Sequence, residues 1–269
     1  MADRGDVLSD VLADLAAEGG WLDDVLAGLD DDRWLAPTPA PGWTIAHQVA
    51  HLAWTDRQAL LAATDPQGFA GLVQRMLAGE MTVDGAAAEG AALPPPELLA
   101  GWRAGRAELA AALAAVPAGT KMPWYGPPMS ATSMATARLM ETWAHGHDVA
   151  DTLAAPHPDK EGLRHIAYLA VRTRDFAFTV HGETPPLDPF EVRLTAPDGA
   201  IWSWGPAGAA QRVEGPARDL CLLATQRRHR SDTGLVATGP DADRWLDIAQ
   251  AFAGPSGSGR EPTAPNGPA

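Results

Sequence analysis

Two segments of this chain carry side chains that could hold a metal ion. The first is Pro41-Gly42-Trp43-Thr44-Ile45-Ala46-His47-Gln48-Val49-Ala50-His51; the second is Glu141-Thr142-Trp143-Ala144-His145-Gly146-His147-Asp148. Imidazole and carboxylate groups four residues apart share one face of a helix and can reach one ion. At about 100° per residue, Arg138, Glu141, His145 and Asp148 lie in one stripe roughly 80° wide, joined by Met134, whereas His147 points about 200° away from His145. On the first segment, Thr44, His47, Gln48, His51, Thr55 and Gln58 share a face without a charged residue, while Asp56 and Arg57 project elsewhere. An uncharged polar stripe on an otherwise apolar helix suits a polar cavity better than open solvent. Imidazole from one face, with imidazole and carboxylate from the other, makes a catalytic zinc donor set whose fourth position stays open for water or substrate. Nickel, iron or manganese accept the same donors. Spacing alone does not choose between His47 and His51, and an i, i+4 pair of polar residues is often a surface feature or a satisfied core pair. His157, His165, His181 and His229 have no matching partner pattern.

The elements that must position these residues read mostly as helices. Residues 5 to 28 form an amphipathic helix, followed by a loop through Asp30 to Pro41. Thr44 is the N-cap of the next helix, which runs to Ala63. A shorter helix spans Gly68 to Ala78, and Pro94-Pro95-Pro96 opens another that ends at Val116, before Pro117. The loop Met122-Pro123-Trp124-Tyr125-Gly126-Pro127-Pro128 leads into the helix Ala131 to Leu153, which carries the second histidine segment; a further helix covers Lys160 to Val180. Beyond His181 the pattern changes. Phe190 to Thr195 and Ala200 to Trp204 alternate around Pro197-Asp198-Gly199, a hairpin signal. Strands near Gln211 to Glu214 and Leu235 to Thr238, with helices at Pro216 to Arg227 and Asp241 to Phe252, complete a small α+β unit. The expected organisation is therefore a helical domain over 1–182, an α+β domain over 183–253 and a Gly-, Ser- and Pro-rich disordered tail over 254–269.

Composition narrows the partners. The chain has 269 residues, 46% of them hydrophobic, and a formal net charge of -14. That charge argues against nucleic acid or an anionic membrane surface as partner; a small anionic substrate remains compatible, because one local arginine can bind it. No apolar run approaches the ~20 residues of a membrane span, and no basic-then-apolar signal segment opens the chain, so a cytoplasmic protein is expected. The one cysteine, Cys221, rules out an intrachain disulfide and thiolate-rich structural zinc. It lies in an apolar helical run and reads as a buried, inert thiol. Ten tryptophans accompany only two tyrosines. Most are core anchors, but Trp43, Trp54, Trp124 and Trp143 lie close enough to the histidine segments to wall a pocket.

The motifs Pro41-Gly42-Trp43-Thr44, Ala50-His51-Leu52 and Glu141-x-x-x-His145, in this order, resemble those of the mycothiol-dependent maleylpyruvate isomerase family, which belongs to the DinB-like metal-binding four-helix bundles. The resemblance spans most of residues 5 to 155, and the α+β unit resembles the sterol-carrier-like domain that such proteins carry. It implies His51, Glu141 and His145 as the zinc ligands, leaving His47 to line the pocket. It also implies an arginine from the C-terminal domain at the site; Arg227 or Arg228 matches, although Gln226 stands where a glycine is usual. Mycothiol would be the thiol cosubstrate, and a small electrophile its target.

Arg138 could anchor a carboxylate of substrate or cofactor or serve at the surface; Asp148 could orient a ligand imidazole or be a solvated helix-end acid. Metal-bound thiol is deprotonated, so the implied chemistry is thiolate attack on an electrophilic carbon. Expulsion of the thiol after bond rotation gives cis–trans isomerisation, and its retention gives S-transfer. Two alternatives use the same residues: a metal-dependent hydrolase working through zinc-bound hydroxide, and a non-catalytic metal- or small-ligand-binding protein. Either a monomer or a homodimer fits.

Overall fold

The computed structural model describes residues 4–257 and 259–263. They form two compact units that divide between His157 and Pro158. The first is helical: α1 (Arg4–Ala27), α2 (Asp31–Trp34), α3 (Ile45–Thr64), α4 (Pro66–Leu77), α5 (Val83–Ala91), α6 (Pro95–Ala115) and α7 (Ala131–Leu153). The long helices α1, α3, α6 and α7 make a bundle in which α3 packs on α6 and α7, and α1 packs on α7. Its core is built on Leu22, Leu26, Trp34, Ile45, Val49, Leu52, Leu98, Trp102 and Val149, every one buried.

Capping chemistry fixes where the site-bearing helices begin. Thr44 is extended and caps α3, its hydroxyl and backbone N–H both meeting His47 Nδ1, at 2.8 and 3.3 Å. The Ser130 hydroxyl accepts from the Ser133 N–H and starts α7. Both helices thus start where the cap residues place them, which sets the rotation of His51, Glu141 and His145. Two helices escaped the reading above. α2 is a single turn, and α5 has Gly85 and Gly90 inside a polar, alanine-rich run that lacks helical periodicity. Gly90 has a packing reason: a Cβ there would lie 2.8 Å from Ala50 Cβ on α3.

The second unit begins earlier than the 182/183 boundary expected from composition. The expected single helix over 160–180 is two, α8 (Leu163–Arg172) and α9 (Arg174–Val180), broken at Thr173. They pack on α10 (Ala217–Ala224) and α11 (Pro240–Ile248) of the same unit, which is why the division precedes them. Cys221 Sγ meets the Leu163 carbonyl at 3.6 Å, and the Thr173 hydroxyl donates to the Gln250 carbonyl at 2.8 Å. Strands β1 (Phe190–Thr195), β2 (Ile201–Trp204), β3 (Gln211–Pro216) and β4 (Val236–Thr238) form one sheet in the order β2-β1-β3-β4. The β1–β2 hairpin turns at Pro197-Asp198-Gly199 as expected. β1 pairs parallel with β3, so the chain leaving β2 must cross β1. It does so at Gly205, at φ +85°, where a Cβ would lie 1.9 Å from the Phe190 carbonyl oxygen.

Of the tail expected to be disordered, 258 and 264–269 lie outside the described residues. The described part, 254–257 and 259–263, contains no helix or strand, yet the Thr263 N–H donates to Asp232 Oδ2 at 2.7 Å. No helix among the described residues is long and apolar enough to cross a membrane.

Candidate metal centre

α3 and α7 run antiparallel along a seam of polar pairs: Gln48 with His145, His51 with Glu141, and Asp56 with Arg138. Glu141 is the hub of its middle. Its Oε2 lies 3.1 Å from His51 Nε2 and 3.3 Å from His145 Nε2. The two imidazole centroids are 4.5 Å apart. One ligand atom from each of His51, Glu141 and His145 lies within 4.8 Å of the other two. Burial by itself pushes the Glu141 carboxyl up, but hydrogen bonds from His145 and His51 and the charge of both rings outweigh it. The group is held well below the usual carboxylate range.

The donors suit a divalent metal: two imidazoles, one ionised carboxylate, and no lysine or arginine bonded to that carboxylate among the described contacts. His51 turns Nε2 to Glu141, and its Nδ1 is buried without a hydrogen-bond partner. His145 is fixed from behind. Its Nδ1 meets Gln48 Oε1 at 2.5 Å, with the buried Asp148 carboxylate farther off at 3.9 Å. An amide oxygen only accepts, so Nδ1 keeps a proton, and Nε2, which faces Glu141, is the nitrogen that can give up its own to bind an ion. Glu141 and His145 keep 24% and 11% of their side-chain surface, enough for a small molecule to approach.

The remaining residues singled out in the sequence divide clearly. Trp54 is beside the centre, 6.5 Å from the His51 ring. Trp43 covers it, with ring centroids 5.3 Å from His51 and 5.9 Å from His145, the latter stacked at 19°. His47 is half-buried at the α3 cap and 6.3 Å from Trp43. Trp124 stacks on Phe69 at 5.5 Å, in the 122–129 loop closed by the Met122–Met129 bridge.

Three expectations need correcting. Arg138 is on the ligand stripe, but it is not a surface residue. Its side chain is 2% exposed, and its Nε donates to Asp56 Oδ1 at 2.9 Å. Asp56 itself turns inward rather than away, because the antiparallel seam sets the guanidinium opposite it. Trp143 does not wall the centre either. It is i-4 to His147, so helical geometry turns it to the α1 side, where it packs against His147 at 4.3 Å.

That side holds a group the sequence reading missed. His157 Nε2 lies 2.8 Å from Glu18 Oε1, and the His157 ring stacks on His147 at 3.9 Å. No local pattern announces a pair formed between residues so distant in the chain. Gln48 and Trp43 were visible, as a member of the uncharged stripe and as a neighbouring aromatic, but their direct engagement of His145 was not. Arg227 and Arg228 belong to the second unit. Arg227 Nη1 donates to the Thr225 carbonyl at 2.7 Å, and Arg228 lines a cavity of about 560 Å³ within that unit.

Fold and site together define a helical bundle with a two-histidine, one-carboxylate centre, joined to a small α+β unit. Residues 15–150 match the model of the mycothiol maleylpyruvate isomerase N-terminal domain, and the chain belongs to that family. Residues 186–238 also match a model described as wyosine base formation. Two Mycobacterium tuberculosis proteins, described as uncharacterized proteins MT0041 (strain CDC 1551) and Rv0036c (strain H37Rv), are each 58% identical over 261 residues, covering 97% of this chain and 100% of theirs. The crystal structure of a mycothiol-dependent maleylpyruvate isomerase is similar with a TM-score of 0.58 at 18% identity, covering 87% of this chain and 95% of that one. A mutant of that enzyme matches equally, with a TM-score of 0.58 at 17% identity. At these identities the likeness establishes the shared fold.

Proposed function

We propose that this protein is a zinc- and mycothiol-dependent cytoplasmic enzyme that presents a thiolate to a small electrophilic substrate, with isomerisation or S-transfer as the outcome. The observation that carries this reading is the convergence of His51, Glu141 and His145 on one point of the α3–α7 seam. Zinc held there supplies an open Lewis-acid position at which a thiol loses its proton. The protein's own residues do the rest. Glu141 contributes the negative charge that balances the ion, and its lowered proton affinity keeps it ionised and ready. Gln48 holds His145 with Nε2 forward. Trp43 and Trp54 limit water at the two imidazoles and give an apolar wall against which a small carbon skeleton can rest.

Calorimetric titration of mycothiol into zinc-loaded and zinc-free protein tests the reading. Binding to the loaded protein, lost when zinc is stripped and restored when it is returned, is the expected result. No heat of binding to fully loaded protein would contradict the thiol-dependent assignment and leave a hydrolytic metal centre in its place.

A further inference from the structure

The centre's orientation depends on a residue that no ligand motif includes. Gln48 is completely buried on α3, one turn before His51. Its Nε2 donates to the Thr38 hydroxyl at 2.8 Å, and that hydroxyl donates to the Trp43 carbonyl at 3.0 Å. The donors run one way along this chain: the Trp43 carbonyl accepts the Thr38 hydroxyl proton, and the Thr38 oxygen accepts from the Gln48 amide nitrogen. The Gln48 oxygen is thereby turned to His145, whose Nδ1 must carry the proton. Backbone bonds tie the same loop: the Thr38 N–H donates to the Trp43 carbonyl at 2.8 Å, and the Trp43 N–H to Ala40 at 3.0 Å. The loop presents the Trp43 indole to both ligand imidazoles, and the indole Nε1 donates to the exposed Asp84 at 3.2 Å.

We propose that Gln48 is the positioning residue of the centre. It sets His145 as an Nε2 ligand and, through Thr38, holds the Trp43 cover over the two imidazoles, so that ligand geometry and cover position are fixed by one side chain. The proposal rests on the metal reading above. Its amide is uncharged, so it directs the imidazole without adding a second negative charge beside Glu141. Replacing it with an apolar side chain removes the amide acceptor from the His145 Nδ1–H and the amide donor from the Thr38 hydroxyl. Partners of this kind are worth about 10–100-fold in metal affinity.

The test measures zinc affinity by competition with a chromophoric chelator, together with the visible spectrum of the cobalt-substituted protein, for wild type, Gln48→Met, Gln48→Leu and Gln48→Glu. The two apolar variants are expected to bind zinc about 10–100-fold more weakly and to show an altered cobalt spectrum. Gln48→Glu still accepts from Nδ1 but cannot donate to Thr38; it is expected to keep zinc affinity and the cobalt spectrum, because those two readouts follow the His145 arm alone. A generally structural role would weaken all three in step with their loss of thermal stability. Gln48→Met or Gln48→Leu that folds, binds zinc as wild type does and keeps the cobalt spectrum would overturn the proposal. If both apolar variants fail to fold, Gln48→Glu decides: loss of zinc affinity in that folded variant overturns the proposal, and retention supports it. Wild-type protein that takes up neither metal would remove the metal reading itself, a result distinct from any of these.

Discussion

Helix α7 carries histidine on two faces, and the two are used in opposite ways. Toward α3, His145 and His51 converge edge-on at the Glu141 carboxylate. Toward α1, His147 stacks on His157 with planes 22° apart, His157 meets Glu18, and Trp21 and Trp143 pack edge-on at 4.0 and 4.3 Å. Each face offers two imidazoles and one carboxylate. Imidazole lone pairs lie in the ring plane, so stacked rings direct theirs past one another, whereas the α3 side brings its nitrogens to one oxygen. Accessibility separates the faces too. Glu141 keeps 24% of its side-chain surface, while His157 and Glu18 keep 1% and 4%. Identical residue types thus give a reachable ligand set on one side and a sealed packing cluster on the other.

The sharpest way to break this comparison is to exchange the faces' roles by mutation. Glu141→Ala is expected to lose bound zinc to background in metal analysis, with the fold retained by circular dichroism. His157→Ala is expected to keep the zinc but to lose about 3–5 kcal/mol of stability in urea unfolding, because the Glu18 carboxylate stays buried without its imidazole. Gly146, between the two faces, has little room: a Cβ there would lie 3.1 Å from Trp21 and 3.5 Å from His157 Nε2. Gly146→Leu should therefore cost about 1–3 kcal/mol by overpacking, again measured in urea, without changing zinc stoichiometry. The smallest expected effect is at the start of α3. Thr44→Ala removes the cap and should cost about 1 kcal/mol, read as a small fall in thermal midpoint.

Acid sharpens the contrast in the metal-free protein. The folded Glu141 carboxyl is held below its unfolded value, so its contribution to stability is present above the ordinary carboxylate pKa of about 4.3. That contribution is lost as pH falls through the lowered folded value. Glu141→Gln should therefore flatten the acid limb of stability against pH, measured by urea unfolding.

Helical periodicity made the α7 division legible before any coordinates, since residues two apart diverge by about 200°. It set His145 against His147, and the cap at Thr44 and the helix over 131–153 lie where their residues put them. What periodicity could not supply is what each face meets. The inward turn of Asp56 and the burial of Arg138 follow from the antiparallel pairing of α3 and α7, a tertiary fact. The Glu18–His157 contact joins residues from distant parts of the chain in the same way. In the second unit, the Pro197-Asp198-Gly199 turn was readable from local chemistry. The parallel β1–β3 pairing was not, because it depends on where the chain passes after Gly205.

The most direct test of the ligand assignment is zinc stoichiometry by equilibrium dialysis of wild type, the His51→Ala/Glu141→Ala double variant and His147→Ala, all verified as folded. One zinc per chain in wild type and in His147→Ala, with none in the double variant, is the predicted result. Full stoichiometry in the double variant, or loss of zinc in His147→Ala, would contradict the assignment of the metal to the α3 side of α7.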